Sequence, residues 1–190
     1  YAQAITENIA NIAVAIRDEW RSDTGFVKLM LEPGPDNPAY MNSQEVTLEI
    51  IGAFLHGLEQ LRDNRIAGPL GLRELGKAET EAALERASIS TAFIAADIDG
   101  LLALYEQGGL KSRIGASDQS MADVISTELK NARDLAQSVK LPFATARKQD
   151  AARAKLVALG FPLKNALSIA GGLSSEATGL SVGFNAGDGD

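Results

Sequence analysis

The histidine at position 56 is the only one in this 190-residue chain, and a glutamate follows three residues later, at position 59. Side chains three apart on an α-helix lie on the same face, so His56 and Glu59 could bind one cation between an imidazole and a carboxylate. Three further acids and one glycine continue this face at four- and three-residue steps: Glu45, Glu49, Gly52 and Asp63. The pattern predicts an acidic row around one imidazole, with His56 and Glu59 as candidate metal ligands.

An acidic row on a helix also has a simple structural explanation. The apolar positions of the same segment fall roughly on the opposite side: Ile50, Ile51, Phe54, Leu55, Leu58 and Leu61. Such a helix usually turns its charged side to water and its apolar side to the core. The row is then a solvated surface, or a cation site shared with a companion domain. In both cases we expect His56 to lie outside the core.

Other acidic pairs are weaker candidates for chemistry. Asp97 and Asp99 are two residues apart on a predicted helix, so their carboxylates point in different directions and do not share a proton. Asp188 and Asp190 could bind a hard cation such as calcium, but the other positions of a calcium loop are missing. A hydrolytic triad has only one histidine to draw on. We therefore assign no catalytic and no cofactor-binding residue.

Composition limits the classes of function. The net charge is -7 and the pI is about 4.8, with 18 scattered basic residues, which argues against nucleic-acid binding. The chain has no cysteine, which excludes disulfides and thiolate metal sites. It lacks a run of about 18 consecutive apolar residues, so we predict no transmembrane segment. Because Tyr1 opens directly into a helical pattern, we interpret the chain as a piece whose earlier residues are absent.

Apolar spacing predicts five helical segments and no β-sheet. Prolines between positions 33 and 38 force a loop, and Asn42 with Ser43 caps the second helix. Residues 67–71 are predicted to form a turn, and Ser117 or Asp118 to cap the fourth helix. Glycine pairs at 108–109 and 171–172 are expected to end the third and fifth helices. The predicted helices are 2–20, 43–65, 77–105 (weak at 88–91), 118–139 and 145–170 (disturbed at 160–162). We predict an all-α antiparallel bundle of four long helices preceded by a shorter one.

Several segments resemble the imelysin family of bacterial helical proteins. The internal segments are Asn37-Pro38-x-Tyr40, Leu61-Arg62-Asp63-Asn64-Arg65-Ile66, Gly68-Pro69-Leu70-Gly71, Glu85-Arg86-Ala87-Ser88-Ile89-Ser90 and Ile98-Asp99-Gly100-Leu101-Leu102-Ala103-Leu104-Tyr105. The closing string, Gly183-Phe184-Asn185-Ala186-Gly187-Asp188-Gly189-Asp190, is the most specific of them. Together these segments span residues 37–190.

The resemblance implies two helical bundles, with residues 1–190 as the C-terminal bundle and the N-terminal bundle outside this chain. It also implies a periplasmic or envelope-anchored bacterial protein, often a lipoprotein, that is linked to iron uptake and classed with metallopeptidases. The metal-site motif of the family is Gly-x-His-x-x-Glu, and it normally lies in the first bundle. His56 and Glu59 match the end of this motif, but Phe54 stands where the motif has glycine.

Three functions remain open at this point. The first is an imelysin-like envelope protein that takes up or binds a metal, iron or zinc, and is non-catalytic in this half. The second is a metallopeptidase whose metal site lies mainly on the missing N-terminal half, and the third is a purely structural bundle. A zinc peptidase needs about three protein ligands, whereas this chain has one histidine, so we favour the first. The expected partners are the N-terminal bundle and a metal ion.

Overall fold

The computed structural model describes residues 1–21, 23, 25–73 and 81–178. These residues form helices and connecting loops without any strand, which confirms the predicted all-α class. The chain divides into two compact units, Tyr1–Ile50 and Ile51–Asp190.

The first unit opens with the predicted N-terminal helix, α1, at Ala2–Arg21, followed by a short helix, α2, at Phe26–Leu31. The rings of Trp20 and Phe26 lie 5.1 Å apart, and the ring of Tyr40 lies 6.3 Å from that of Phe26. These aromatic contacts fasten the end of α1 to the loop that follows. No residue of α1 is buried, so within this unit taken by itself the apolar face of the helix is not covered.

The helix that carries the candidate metal ligands, α3, spans Ser43–Glu59 and begins at the predicted cap. The side-chain oxygen of Asn42 accepts hydrogen bonds from the backbone N–H groups of Gln44 and Glu45, at 2.9 and 3.1 Å. In return, the carboxylate of Glu45 accepts from the N–H of Met41 at 2.7 Å. This reciprocal pair satisfies N–H groups that an α-helix leaves free at its start.

A π-helix continues α3 without a break, from Gln60 to Ala67. Its hydrogen bonds join residues five apart, as between the N–H of Gly68 and the carbonyl of Asp63 at 2.8 Å. The predicted end of this helix near Arg65 is confirmed to within two residues, and the turn predicted at 67–71 is found at 68–71. The change from α to π was not predicted.

The third helix is shorter than predicted. Its α-helical part, α4, begins only at Ser90 and runs to Glu106, and a single 3₁₀ turn, Glu85–Ala87, precedes it. The predicted start near Lys77 lies outside the described residues, but the prediction of helix through 81–89 is wrong. Leu84 and Ser88 adopt φ values of 60° and 58°, in the left-handed region, and an α-helix cannot pass through such residues.

The second unit is built around α6, at Gln119–Ser138, which packs most extensively against α4 and against the C-terminal helix. The carboxylate of Asp118, one of the two predicted caps, caps α6 by accepting from the N–H of Met121 at 3.0 Å. Tyr105 at the end of α4 is fully buried and donates a hydrogen bond from its hydroxyl to the carbonyl of Ala122, at 3.0 Å. A short helix, α5, at Leu110–Ile114 connects α4 to α6 and was not predicted.

The predicted fifth helix is three helices in the structure: α7 at Phe143–Ala146, α8 at Asp150–Ala158 and α9 at Gly160–Thr178. The disturbance expected at 160–162 coincides with the start of α9. The expected stop at Gly171 and Gly172 is wrong, because α9 continues past both glycines. Leu173 and Ser174 are buried beyond them, so the core-facing side of the helix extends through the pair.

Within the described residues, the stretch Asp150–Glu176 is long and apolar enough to cross a membrane by length and composition alone. In the most apolar window of 18 residues within this stretch, 44% is buried inside the structure. Core helices of compact domains have the same composition, and the burial of Leu156, Leu163 and Ala166 fits that role.

Candidate functional site

The candidate metal ligands lie in the last turn of α3. His56 is exposed, and Glu59 is half-buried. Leu55, directly before His56, and Leu58, directly before Glu59, are almost fully buried. The helix thus has an apolar side in the core and a polar side outside it, as predicted. The expectation that the imidazole lies outside the core is confirmed.

Phe54, which takes the place of the motif glycine, is a core residue. It has no exposed surface, and its ring stacks on that of Tyr105 with the centroids 5.3 Å apart. Stacked aromatic pairs contribute roughly 1 kcal/mol beyond their buried area. This position therefore serves packing between α3 and α4.

A groove of about 450 Å³ lies beside Glu59. One wall consists of Glu59 and Arg62, where α3 passes into the π-helix, and the other is a face of α9. Leu167 forms an apolar floor and is almost buried. Residues of α9 line the groove at helical spacing, and all but one are small or polar: Lys164, Leu167, Ser168, Gly171, Gly172 and Ser175.

Arg62 is held in one orientation by its neighbour Asp63. Its Nε and Nη2 donate to the two carboxylate oxygens of Asp63, each at 2.7 Å, and about a quarter of the guanidinium side chain stays exposed. The hydrogen bonds that Arg62 donates to Asp63 raise the pKa of Arg62, against the lowering effect of burial, and the negative charge of Glu59 raises it further. Arg62 thus brings a permanent positive charge to the groove, paired with Asp63 and influenced by the charge of Glu59.

The opposite wall offers a second cation and two hydroxyl groups. Lys164 and Ser168 are exposed and one helical turn apart. Ser175 is half-buried, and its hydroxyl donates to the carbonyl of Gly171 at 3.1 Å. The groove therefore carries a positive charge on its α9 wall and two opposite charges, Glu59 and Arg62, on the other wall.

The rest of the predicted acidic row serves other purposes. The carboxylate of Glu45 caps α3, and that of Asp63 holds Arg62. Glu49 is exposed. Among the described residues, no group of three or more His, Asp or Glu side chains is placed to hold a metal ion. His56 and Glu59 can therefore supply at most part of a coordination shell.

The other predicted acidic pair behaves as expected. Asp97 lies 3.8 Å from Nε of Arg65, and burial raises the pKa of its carboxyl group more than Arg65 lowers it. Asp99 is exposed. Their contrasting environments agree with side chains that point in different directions. Asp188 and Asp190 lie outside the described residues.

Two arginines, Arg147 and Arg153, form a clamp that the sequence did not predict. Nη2 of Arg147 lies 3.1 Å from a carboxylate oxygen of Glu85, and Nη1 donates to the carbonyl of Pro69 at 3.4 Å. Arg153 donates to the carbonyl of Leu70 at 2.8 Å. The clamp ties together two segments of the predicted family likeness, 68–71 and 85–90. No local signal could reveal it, because the arginines are 62 to 83 residues from their partners in sequence.

Fold and site together define an all-α protein with a charged groove and a solvent-facing imidazole. The chain belongs to the imelysin family, whose model matches residues 1–168. This match includes α1 and α2, whereas the resemblance seen in the sequence began at residue 37. It ends at residue 168, before the closing string 183–190, which was the most specific part of that resemblance. No curated protein matched the chain, and no solved structure did.

Proposed function

We propose that this imelysin-family chain is a non-catalytic, metal-associated binding protein of the bacterial envelope, periplasmic or anchored there. His56 and Glu59 supply a nitrogen and an oxygen ligand to iron or zinc. The observation that carries this proposal is the exposed imidazole of His56 three residues before Glu59, a half-buried carboxylate that lines a groove. Both residue types suit these metals. The location rests on the family resemblance.

Binding is a better fit than catalysis for the residues described. A zinc peptidase needs about three protein ligands and an open position that a general base can reach. The described part of the chain gathers fewer ligands than that, since Glu45 and Asp63 are already engaged. A binding protein can complete the coordination shell with groups from its cargo or from a companion module.

A companion helical bundle is supported by the apolar face of α1. Within the first unit, three isoleucines of this helix are at least half exposed: Ile9, Ile12 and Ile16. Contiguous apolar surface of this kind usually marks an interaction site. The partner we propose is the N-terminal bundle of the same protein.

Metal titration by calorimetry tests the proposed ligands. We expect Zn²⁺, and Fe²⁺ without oxygen, to bind the wild type, and His56→Ala or Glu59→Gln to weaken binding roughly tenfold or more, as ligand loss should. Asp99→Ala removes an exposed carboxylate of α4 and is the matched control, with unchanged affinity expected. Equal affinities in all four proteins would contradict the proposal and favour a purely structural role.

The peptidase assignment of the matched family supports a second candidate, a metallopeptidase whose metal site lies mainly on another part of the protein. It predicts cleavage of a protein substrate that a chelator abolishes and that His56→Ala leaves unchanged. Absence of cleavage across varied substrates, with metal supplied, would remove this candidate.

A further inference from the structure

Three charged side chains line the groove between the π-helix and α9 with bonding capacity to spare. Within the described ranges, no hydrogen bond or ion pair joins Glu59 or Lys164 to another residue. Arg62 donates from Nε and Nη2 to Asp63, but its Nη1 donates to no described residue. One carboxylate and two cationic groups are therefore available to a ligand.

The signs of these charges disfavour a ligand of a single sign. A cation would be attracted by Glu59 but repelled by Arg62 and Lys164, and an anion would be attracted and repelled by the opposite groups. The carboxylate and the guanidinium act on each other at short range, because the charge of Glu59 raises the pKa of Arg62. A ligand that carries one positive and one negative group close together matches all three side chains.

The shape of the groove leaves room for an apolar part of such a ligand. Leu167, only 8% exposed, forms the floor. A Cβ atom at Gly172 would meet nothing within 4 Å, so the missing side chain leaves the space beside this floor open. The volume of about 450 Å³ lies within the range of small-molecule sites.

We propose that this groove binds a free α-amino acid with an apolar side chain. The carboxylate of the ligand bridges Nη1 of Arg62 and the ammonium group of Lys164. Its own ammonium group pairs with Glu59, and its side chain lies on Leu167. A free amino acid fits better than a peptide, because both of its charged groups are attached to one carbon atom, whereas the two termini of a peptide are separated by whole residues.

This amino-acid site is distinct from the proposed metal site. His56 does not line the groove, and Glu59 is the one residue that the two proposals share. The inference therefore goes beyond the proposed function and does not require a bound metal.

NMR titration of the metal-free protein tests the inference with L-leucine and two analogues. The first, 4-methylpentanoate, lacks the ammonium group, and the second, 3-methylbutylamine, lacks the carboxylate. Leucine should shift the backbone amide signals of Gly171 and Gly172, and should bind roughly fivefold or more tightly than either analogue, since each analogue loses an ion pair. An analogue that binds as tightly as leucine would overturn the inference, and so would the absence of leucine binding.

Variants of the groove test each contact separately. Glu59→Gln should abolish the preference for leucine over 4-methylpentanoate. Lys164→Gln should weaken the binding of both acids by roughly two- to fivefold, the range of an exposed ion pair, without weakening that of 3-methylbutylamine. Lys148→Gln removes an exposed lysine that does not line the groove and is the matched control, with unchanged affinities expected.

A substitution that fills the groove gives a second, independent measurement. Gly172→Leu should block leucine binding, while leucine suits a helix better than glycine does. Circular dichroism melting verifies that each variant folds. Leucine binding of wild-type strength in both Lys164→Gln and Gly172→Leu would show that the groove is not the site.

The variant His56→Ala separates this inference from the metal site. It should weaken Zn²⁺ binding and leave the affinity for leucine unchanged. If it abolishes leucine binding in a folded protein, the assignment to the groove is wrong. If Zn²⁺ binding is unaffected while leucine binding depends on Lys164, the metal site is wrong and the amino-acid site stands.

Discussion

Two helices of this molecule have the same length and opposite surroundings. The N-terminal helix α1 and the central helix α6 each have 20 residues and a clear apolar stripe. Six residues of α6 are buried between α4 and α9, whereas α1 has no buried residue. Periodicity thus predicts both helices correctly but does not tell which stripe is buried within its own unit. That information lies in the neighbours, which are distant in sequence.

The largest expected effect would test this contrast directly. Leu129 of α6 is fully buried, so Leu129→Ala should lower the free energy of unfolding by roughly 2 to 5 kcal/mol. Ile12 of α1 is half exposed, and Ile12→Ala should change it by less than about 0.5 kcal/mol. Urea unfolding of both variants measures the difference. A similar loss for both would mean that the α1 stripe is covered in the isolated chain.

The arginine clamp should have the next largest effect, because it joins distant segments of the second unit. Arg147→Ala leaves the carboxylate of Glu85, only 13% exposed, without this partner and should destabilise the protein by about 2 to 4 kcal/mol. Arg133→Ala removes an exposed pair with the adjacent Asp134 and should change stability by less than about 0.5 kcal/mol. Equal denaturation midpoints for the two variants would show that the clamp adds nothing to stability.

A smaller effect is expected from the buried hydroxyl group that joins α4 to α6. Tyr105→Phe removes the hydrogen bond to Ala122 and should lower the free energy of unfolding by about 1 kcal/mol. Tyr40→Phe, whose hydroxyl makes no hydrogen bond to a described residue, serves as the control.

Burial raises the pKa of Tyr105 above its ordinary value, so the folded state retains the phenol proton longer than the unfolded state. Stability should therefore fall as the pH rises above about 10, the pKa of the unfolded tyrosine, by up to about 1.4 kcal/mol per pH unit. The Tyr105→Phe variant should lose this part of the alkaline decline. Parallel pH profiles for the two proteins would contradict the assignment.

The smallest expected effect separates two helical glycines. Gly172→Ala has free space and should stabilise the protein by about 0.5 to 1 kcal/mol. At Gly57, a Cβ atom would lie 2.7 Å from Cδ2 of Leu101, so Gly57→Ala should stabilise less or destabilise. Thermal unfolding compares them. An equal gain at both positions would show that Leu101 moves aside easily.

The sequence was sufficient for features that depend on local chemistry. The cap at Asn42, the loop at 33–38, the cap at Asp118 and the exposed side of α3 all depend on residues within a few positions of each other. For the same reason, the exposed position of His56 could be predicted from the sequence alone. The metal role of His56 and Glu59 stays a prediction.

Features that depend on distant residues could not be predicted. The start of α4 at Ser90 is set by left-handed residues and by the Glu85 contacts, and the continuation of α9 through Gly171 and Gly172 is set by buried neighbours. The groove likewise needs α3 and α9 side by side. The acidic row assumed a uniform α-helical step, and the π-helix after Glu59 changes that step before Asp63 is reached.

The π-helix has a further consequence for motion. Hydrogen bonds between residues five apart are rare in proteins and seldom extend over long runs. The π-helix Gln60–Ala67 should therefore unfold locally more readily than the α-helices on either side. Backbone amides there should exchange with deuterium earlier than those of α6. One wall of the groove would then be mobile while the other stays rigid, so that ligands of slightly different sizes could enter the same groove.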